Sequence, residues 1–371
     1  MNKKFLLPYT IIVALIVASL TFSATLLTTS NGKLARVQSI IKNNYYEDVD
    51  KNALLEGAIS GMAASLDLWT GYMNAGEFSH FEETIDGEYA GIGIMISADL
   101  EDNTVVIVAP FEGTPAEAAG LATGDKILKV DGIDVFGDKT DVAAQMMKGK
   151  PGTDVTITVL KYTDKEPARE PIDIKITRAK VEIKSVKSEM KTSEIGYIQI
   201  ASFDKKTYNE FKEHFEKLEN QGMKKLIIDL RNNPGGIVEV TEKIADMFLS
   251  EGTIYSMKGK NYPEKIIVAD QNATEIPITI LVNGNSASAS EILTGALKDH
   301  GKAIVVGERT YGKGVMQSLM PLEDGGAIRV TIAKYFTPNG TDIDHIGIEP
   351  DYVVEGEEAQ LQKAIEILKG I

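Results

Sequence analysis

Two short segments carry the residues that could do covalent chemistry. The first is Asn283-Gly284-Asn285-Ser286-Ala287-Ser288-Ala289-Ser290-Glu291, a small-residue turn after the apolar run 277–282. The second is Thr310-Tyr311-Gly312-Lys313-Gly314-Val315-Met316-Gln317, which follows another apolar run. A buried strand therefore enters a helix at Ser288, where alanines on either side leave its hydroxyl clear. A serine hydroxyl is a poor nucleophile until a base takes its proton. Histidine is the usual base, but the four histidines, His80, His214, His300 and His345, offer little. His300 closes the helix that Ser288 opens, so it lies about 18 Å away at roughly 1.5 Å per residue. His345 sits among loop residues and is the weaker alternative. Lys313 is better placed, framed by glycines and with no acid within three residues on either side. Burial beside a neutral hydroxyl would lower a lysine from about 10.4 toward roughly 7–8, where its amine can act as a base. At strand spacing Gln317 faces the same side as Lys313, and its amide oxygen can orient the amine.

Acyl transfer also needs donors for a developing oxyanion. The N–H of Ala289 lies in the first turn of the predicted helix, where amides lack intrahelical partners and the dipole is positive. A second donor is expected from Asp229-Leu230-Arg231-Asn232-Asn233-Pro234-Gly235-Gly236, which follows the apolar run 225–230. Paired glycines let main-chain N–H groups approach a ligand closely, which makes Gly235 and Gly236 candidates. Each segment has a plain alternative: a serine N-cap, an exposed Gly-Lys-Gly turn, an Asn-Pro-Gly-Gly turn. Their joint occurrence at strand ends of one domain favours the chemical reading.

The elements that must position these groups follow from patterning. From residue 180 onward strand and helix signals alternate, with strands at 195–200, 225–230, 277–282, 303–307 and 327–335. Helices are predicted at 206–221, 241–249, 288–299 and 358–368, which together argue for a layered α/β domain. Residues 90–162 read as a separate β-rich domain with short helices at 115–119 and 140–147, the first stopped by Gly120. Its Gly91-Ile92-Gly93-Ile94 run bares successive N–H groups that suit a terminal carboxylate, beside a strand edge that can accept a peptide. Residues 166–171, charged and with two prolines, read as a loop or hinge. Helical spacing at 33–44 and 52–66 predicts two amphipathic helices, the second capped by Asp50, which could pair between subunits.

Composition narrows the function. The 371 residues are 43% hydrophobic and 25% charged, enough for a sizeable core in two or three domains. A net charge of −15 argues against nucleic acid as a partner. There is no cysteine, which excludes disulfides, thiolate zinc sites and a cysteine nucleophile, and the histidines share no metal-ligand spacing. No metal and no cofactor are expected. Residues 5–27 are uncharged and mostly apolar behind Lys3 and Lys4, long enough for a helix of about 34 Å across a hydrocarbon core of roughly 30 Å. An uncleaved single-pass anchor is favoured over a cleaved secretory signal on length; both readings export the remainder.

Taken together, these motifs resemble the C-terminal processing, or tail-specific, serine proteases of the S41 type. The likeness is carried by the Ser286–Glu291 and Thr310–Gln317 segments, the Asp229–Gly236 loop, residues 67–73 with Gly87-Glu88-Tyr89-Ala90-Gly91-Ile92-Gly93, and the run Gly120-Leu121-Ala122-Thr123-Gly124-Asp125-Lys126-Ile127-Leu128 typical of a permuted PDZ domain. The resemblance implies Ser288 as nucleophile, Lys313 as general base, Gln317 as orienting partner, and Ala289 with Gly235, or Gly236, as oxyanion donors. It implies a peptide groove at Gly91, Ile92, Gly93 and Ile94, flanked by Val142, Met146 and Lys148. Some family members couple tail binding to the active site through an arginine late in the PDZ helix; here Lys148 stands nearest, and a point charge does not replace a planar fork. The expected organisation is mixed α/β: an anchor at 1–30, a helical region at 31–82, a PDZ domain at 83–165, and an α/β protease core with a C-terminal helix at 166–371. The expected partners are polypeptides with exposed C-termini, the membrane, and a second copy in a homodimer. The rivals are a non-catalytic PDZ peptide-binding scaffold and a Ser-His hydrolase using His345.

Overall fold

A computed structural model describes residues 30–99, 101–163, 166–167, 170–270 and 273–371. The expected anchor at 5–27 lies outside them. Among the described residues no helix is long and apolar enough to cross a membrane.

The chain divides into two compact units, one running through Ala75 and including Ser318–Thr331, the other comprising Gly76–Gln317 and Ile332–Ile371. In the first, helices Ser30–Asn44 and Lys51–Ala64 form where apolar spacing predicts them. Asp50 caps the second, its carboxylate accepting from Asn52 N at 2.8 Å. Leu34, Val37, Ile40, Leu55 and Met62 remain exposed, and a groove of about 250 Å³ runs between the helices. Strand Gly71–Met73 pairs antiparallel with Ala327, Ile328 and Arg329.

The second unit holds the mixed α/β core. Its six-stranded sheet takes the order Val186–Met190, Ile195–Ile200, Lys225–Asp229, Ile278–Val282, Ala303–Gly307, Tyr352–Val353. The first pair is antiparallel and every later pair parallel. Leu226, Ile228, Ile280 and Val282 point to one face, packed with helices Thr207–Asn220, Val238–Asp246 and Ala289–Asp299. Ile227, Leu281 and Val306 point to the other, where Ala364 and Leu368 of the terminal helix Glu357–Gly370 cover them. A sheet buried on both faces needs apolar residues at consecutive positions, which is why these strands read as unbroken runs. The carboxyl ends of the strands at Asp229, Val282 and Gly307 release the three loops that carry the candidate residues, at the edge where open α/β sheets bind ligands.

The β-rich domain is a sheet in the order Ile172–Thr177, Asp154–Leu160, Lys126–Val130, Val105–Pro110, Ile94–Ala98, closed by helices Pro115–Ala118 and Thr140–Met147 over Ile107, Ile127, Val155 and Ile157. Two expectations shift here. Residues 91–96 read in the sequence as one strand-like run, but the run breaks into Glu88–Gly91 and Ile94–Ala98, because Gly93 takes φ +86 and a Cβ there would lie 2.4 Å from Thr114 Cβ. Where a loop or hinge was expected at 166–171, Glu166–Pro167 pairs with Tyr162–Thr163 in a short hairpin. Ile172–Thr177 pairs with Asp154–Leu160, so the domain continues past 165. Charge and proline mark a loop without telling which strands it joins. The chain enters and leaves this domain through Glu88–Gly91 and Ala179–Glu182, which pair antiparallel. The helix expected at 241–249 runs instead from Val238 to Asp246, behind an extended Ile237 at φ −73, ψ 118.

Candidate active site

Ser288 stands at the N-cap of helix Ala289–Asp299 with φ 56 and ψ −115. That region is costly for a non-glycine residue, by about 1–3 kcal/mol, and persists only where the surroundings enforce it. The enforcement is visible. The carboxylate of Glu291 accepts from Ser288 N at 2.8 Å, while the Glu291 N–H donates to the Ser288 carbonyl at 2.8 Å. Both bonds fall on the serine's main chain. Within Ser286–Leu297 every residue is buried except Ser288. Ser290 and Glu291 N–H groups turn back onto the Ala287 and Ser288 carbonyls; the Ala289 N–H makes no such bond among the described residues.

Glu291 also brings the lysine loop to the serine. It is fully buried, and its second oxygen accepts from Thr310 Oγ1 at 2.6 Å and Gly312 N at 2.7 Å. The oxygen that holds Ser288 N also takes Lys313 N at 2.9 Å. One carboxylate thus binds the main-chain N–H groups of both Ser288 and Lys313. Burial pushes its pKa up, and the hydrogen bonds from Thr310, Gly312, Lys313 and Ser288 pull it back. Sequence reading quoted Glu291 within a motif without assigning it this place. Gly312 and Gly314 permit the packing expected around Lys313: a Cβ on Gly312 would lie 2.9 Å from Gly347 N, and one on Gly314 2.5 Å from Asp344 N. Lys313 is half-buried between those two buried glycines, and Gln317 follows on strand Val315–Pro321.

The third loop packs directly on the serine. Asn233 is fully buried and its carbonyl accepts from Ala287 N and Ser290 Oγ, both at 3.0 Å. A Cβ on Gly235, at φ +102, would lie 2.9 Å from Ser288 Cβ and 3.0 Å from Ala289 N. Gly235 therefore touches both residues, while its own N–H donates to Asn233 Oδ1 at 2.8 Å. Gly236 follows at φ +145, against the Phe203 carbonyl. Behind the loop, Arg231 pairs with the buried Asp229 through Nε at 3.0 Å, and Tyr197 donates to the same carboxylate at 2.6 Å.

His345 abuts the lysine loop, its main-chain N–H donating to the Gly312 carbonyl at 2.8 Å, while the other histidines lie elsewhere. His345 is 74% exposed, its ring 3.8 Å from Asp344, and among the described residues it makes no hydrogen bond to Ser288. His300 Nε2 contacts the Thr253 carbonyl at 2.7 Å, and His214 pairs with Ser188 Oγ at 2.6 Å. Among the described residues no cluster of histidine and carboxylate side chains has the geometry to hold a metal ion.

The PDZ-like groove is a pocket of about 240 Å³, lined by Tyr89, Ile92, Gly93, Ile94, Met147 and Lys148 among others. Val142 and Met146 do not line it; Ala144, Met147 and Lys148 do, because the helix turns that stripe inward. Burial pushes the Tyr89 phenol up to about 12, and the nearby backbone N–H groups of Ile94 and Gly93 pull it partly back. Lys148 Nζ donates to Glu83 at 2.6 Å and lies 2.9 Å from His80 Nδ1, both on helix Ala75–Asp86. Arg178, which sequence reading passed over, donates to the carbonyls of Met146 at 2.9 Å and Met147 at 3.1 Å and so closes the PDZ helix.

Comparison with known proteins places the chain in a family. A model described as peptidase family S41 matches residues 194–354, one described as PDZ domain matches 91–176, and one described as activating protease CtpB N-terminal domain matches 20–76. A carboxy-terminal-processing protease of Bartonella bacilliformis is 36% identical over 370 residues, covering 95% of this chain and 83% of that protein. The chain belongs to peptidase family S41. A carboxyl-terminal-processing protease of Synechocystis is 38% identical over 330 residues, with 84% of this chain and 76% of that protein covered. The solved photosystem II D1 C-terminal processing protease is 30% identical, with a TM-score of 0.52 and coverage of 93% of this chain and 92% of that one. Membership makes the chain a serine-type peptidase with a PDZ domain, acting on polypeptides.

Proposed function

We propose that this peptidase cleaves exported polypeptides with a Ser288–Lys313 dyad and selects them by their C-terminal tails through the PDZ groove. The observation that carries the reading is the Glu291 carboxylate, which gathers the N–H groups of Ser288 and Lys313 onto one oxygen at 2.8 and 2.9 Å. In this scheme the neutral Lys313 amine takes the hydroxyl proton as Ser288 Oγ attacks the scissile carbonyl. The oxyanion forms beside Ala289 N–H and one of the paired glycines, Gly235 or Gly236. Lys313 then passes its proton to the leaving amine nitrogen, and the C–N bond breaks to give an acyl-enzyme. A water, deprotonated by the same amine, hydrolyses the ester and frees Ser288. Gln317 orients the amine between steps.

The tail enters beside strand Ile94–Ala98, its carboxylate at the Gly93 and Ile94 N–H groups and its last side chain among Ile92, Phe111 and Met147. The phenol of Tyr89 has to yield those N–H groups to the carboxylate. Residues 5–27 anchor the chain in the membrane with the peptidase outside the cytoplasm. The exposed apolar face of Ser30–Asn44 and Lys51–Ala64 pairs two copies.

The test offers one unfolded polypeptide in three forms: with an apolar C-terminal residue, the same tail amidated, and an acidic tail. The expected result is cleavage of the first and at least tenfold slower cleavage of the others. Equal rates for the three would overturn tail selection. Capture of apolar-tailed chains by Ser288→Ala without turnover is expected alongside.

A further inference from the structure

The hydroxyl of Tyr335 is left without a task by the reaction scheme above, although it is buried at the centre of the site. Tyr335 lies on strand Ala327–Phe336, 1% exposed, with its ring edge-on to Tyr255 at 6.4 Å. Its hydroxyl donates to the carbonyl of Lys313 at 2.7 Å and lies 3.1 Å from the carbonyl of Ser288. Its main-chain N–H donates to the carbonyl of Gly314 at 3.0 Å. The two residues whose N–H groups Glu291 gathers are therefore the same two whose carbonyls Tyr335 reaches.

One hydroxyl proton points along one line at a time. The Ser288 carbonyl is already served by the N–H groups of Glu291 and Ile292, at 2.8 and 3.0 Å. The shorter contact, to the Lys313 carbonyl at 2.7 Å, thus has the stronger hold on the proton. With the Gly314 bond it pins two consecutive carbonyls of the lysine loop. A residue whose two flanking peptide groups are held, one at its N–H and the other at its C=O, cannot swing its side chain by rotating the backbone. Proton transfer between hydroxyl and amine requires heavy atoms within about 2.6–3.2 Å, so a small rotation there would be felt in the rate.

We propose that Tyr335 is a positioning residue for the Ser288–Lys313 pair, setting the direction of the lysine side chain through the Lys313 carbonyl. The proposal rests on the dyad reading. Burial holds the phenol well above its ordinary pKa, so it stays a donor across the working range. A role in general packing would require the ring alone. The hydroxyl adds a bond to the one carbonyl whose rotation moves the base.

The test uses the full chain with Tyr335→Phe, which keeps the ring and its contact with Tyr255. Three quantities are compared with wild type: kcat and KM on an apolar-tailed polypeptide, and the rate of covalent labelling by a fluorophosphonate, with the labelled residue mapped by mass spectrometry. We expect kcat and the labelling rate to fall together by tenfold or more while KM stays within twofold. Replacing Tyr335 by p-aminophenylalanine, which restores a donor at that point, should recover most of the loss. A Tyr335→Phe protein within twofold of wild type in kcat and labelling overturns the proposal. So does a loss that vanishes when each protein is assayed at the same interval below its own melting temperature, since that marks a purely structural role. Labelling away from Ser288 in wild type would fell the dyad reading, and this proposal with it. Labelling on Ser288 with an unaffected Tyr335→Phe would fell this proposal alone.

Discussion

Replacement of Glu291 by glutamine and by alanine should separate what its carboxylate holds together. Glutamine keeps the shape but turns one acceptor into a donor. If the new NH2 group faced Ser288 N and Lys313 N, two buried N–H groups would lose their partner, at about 1–3 kcal/mol each. The opposite orientation is cheaper. There the NH2 group meets Thr310 Oγ1, which already accepts from Ile348 N at 2.7 Å and must turn its own proton away, and Gly312 N goes unpaired. Glu291→Gln is therefore expected to lose about 1–3 kcal/mol of stability while keeping the bonds to Ser288 and Lys313 and activity within about tenfold. Glu291→Ala removes all of these acceptors and frees both residues. A misplacement of about 1 Å at reacting groups costs about 10²-fold, so its kcat should fall at least that far. The assay pairs urea unfolding with kcat on one unfolded polypeptide substrate. Glu291→Ala retaining activity within threefold of wild type would refute the reasoning, as would equal activity losses in the two variants.

Further outcomes follow from single contacts. Gly235→Ala should lose at least about 10²-fold in kcat/KM, because its Cβ would drive Ser288 and Ala289 aside; Gly284→Ala, whose Cβ would meet nothing nearer than the Arg309 carbonyl at 4.0 Å, is the control that should behave as wild type. Tyr89→Phe frees the Gly93 and Ile94 N–H groups, and an apolar-tailed peptide should bind the Ser288→Ala background about 2–10-fold tighter by fluorescence polarisation, one neutral hydrogen bond being worth about 0.5–1.5 kcal/mol; unchanged or weaker binding counts against the groove as described. His214 has a pKa lowered by burial, so the folded state resists its protonation. Its contribution to stability is complete above the unfolded value of about 6.5 and is lost as pH falls through the lower folded value, and His214→Gln should flatten that part of a stability–pH curve.

The sequence was most readable where one physical demand dominates. The core strands at Lys225–Asp229, Ile278–Val282 and Ala303–Gly307 are buried on both faces and appear as apolar runs. The capping by Asp50 and the stop at Gly120 follow from local rules, and both stand in the structure. Strands with one wet face were passed over: Val186–Met190 and Ile172–Thr177 carry charged residues that mask their alternation. The place of Ser288 at the start of a helix was legible because small residues around a strand-to-helix turn are visible locally. The tie from Glu291 to Lys313, the Tyr335 contact with the Lys313 carbonyl and the Arg178 closure of the PDZ helix join residues distant in sequence, and their types alone gave no signal. The resemblance offered Val142 and Met146 as groove residues, whereas the observed rotation of the helix presents Ala144 and Met147.

The most direct test of the dyad measures cleavage of an unfolded, apolar-tailed polypeptide by Ser288→Ala and Lys313→Ala against wild type, each verified as folded. General-base catalysis contributes about 10²–10⁴-fold, so both variants should fall to a hundredth of the wild-type rate or less. Cleavage by either at the wild-type rate would contradict the assignment of Ser288 as nucleophile and Lys313 as its base.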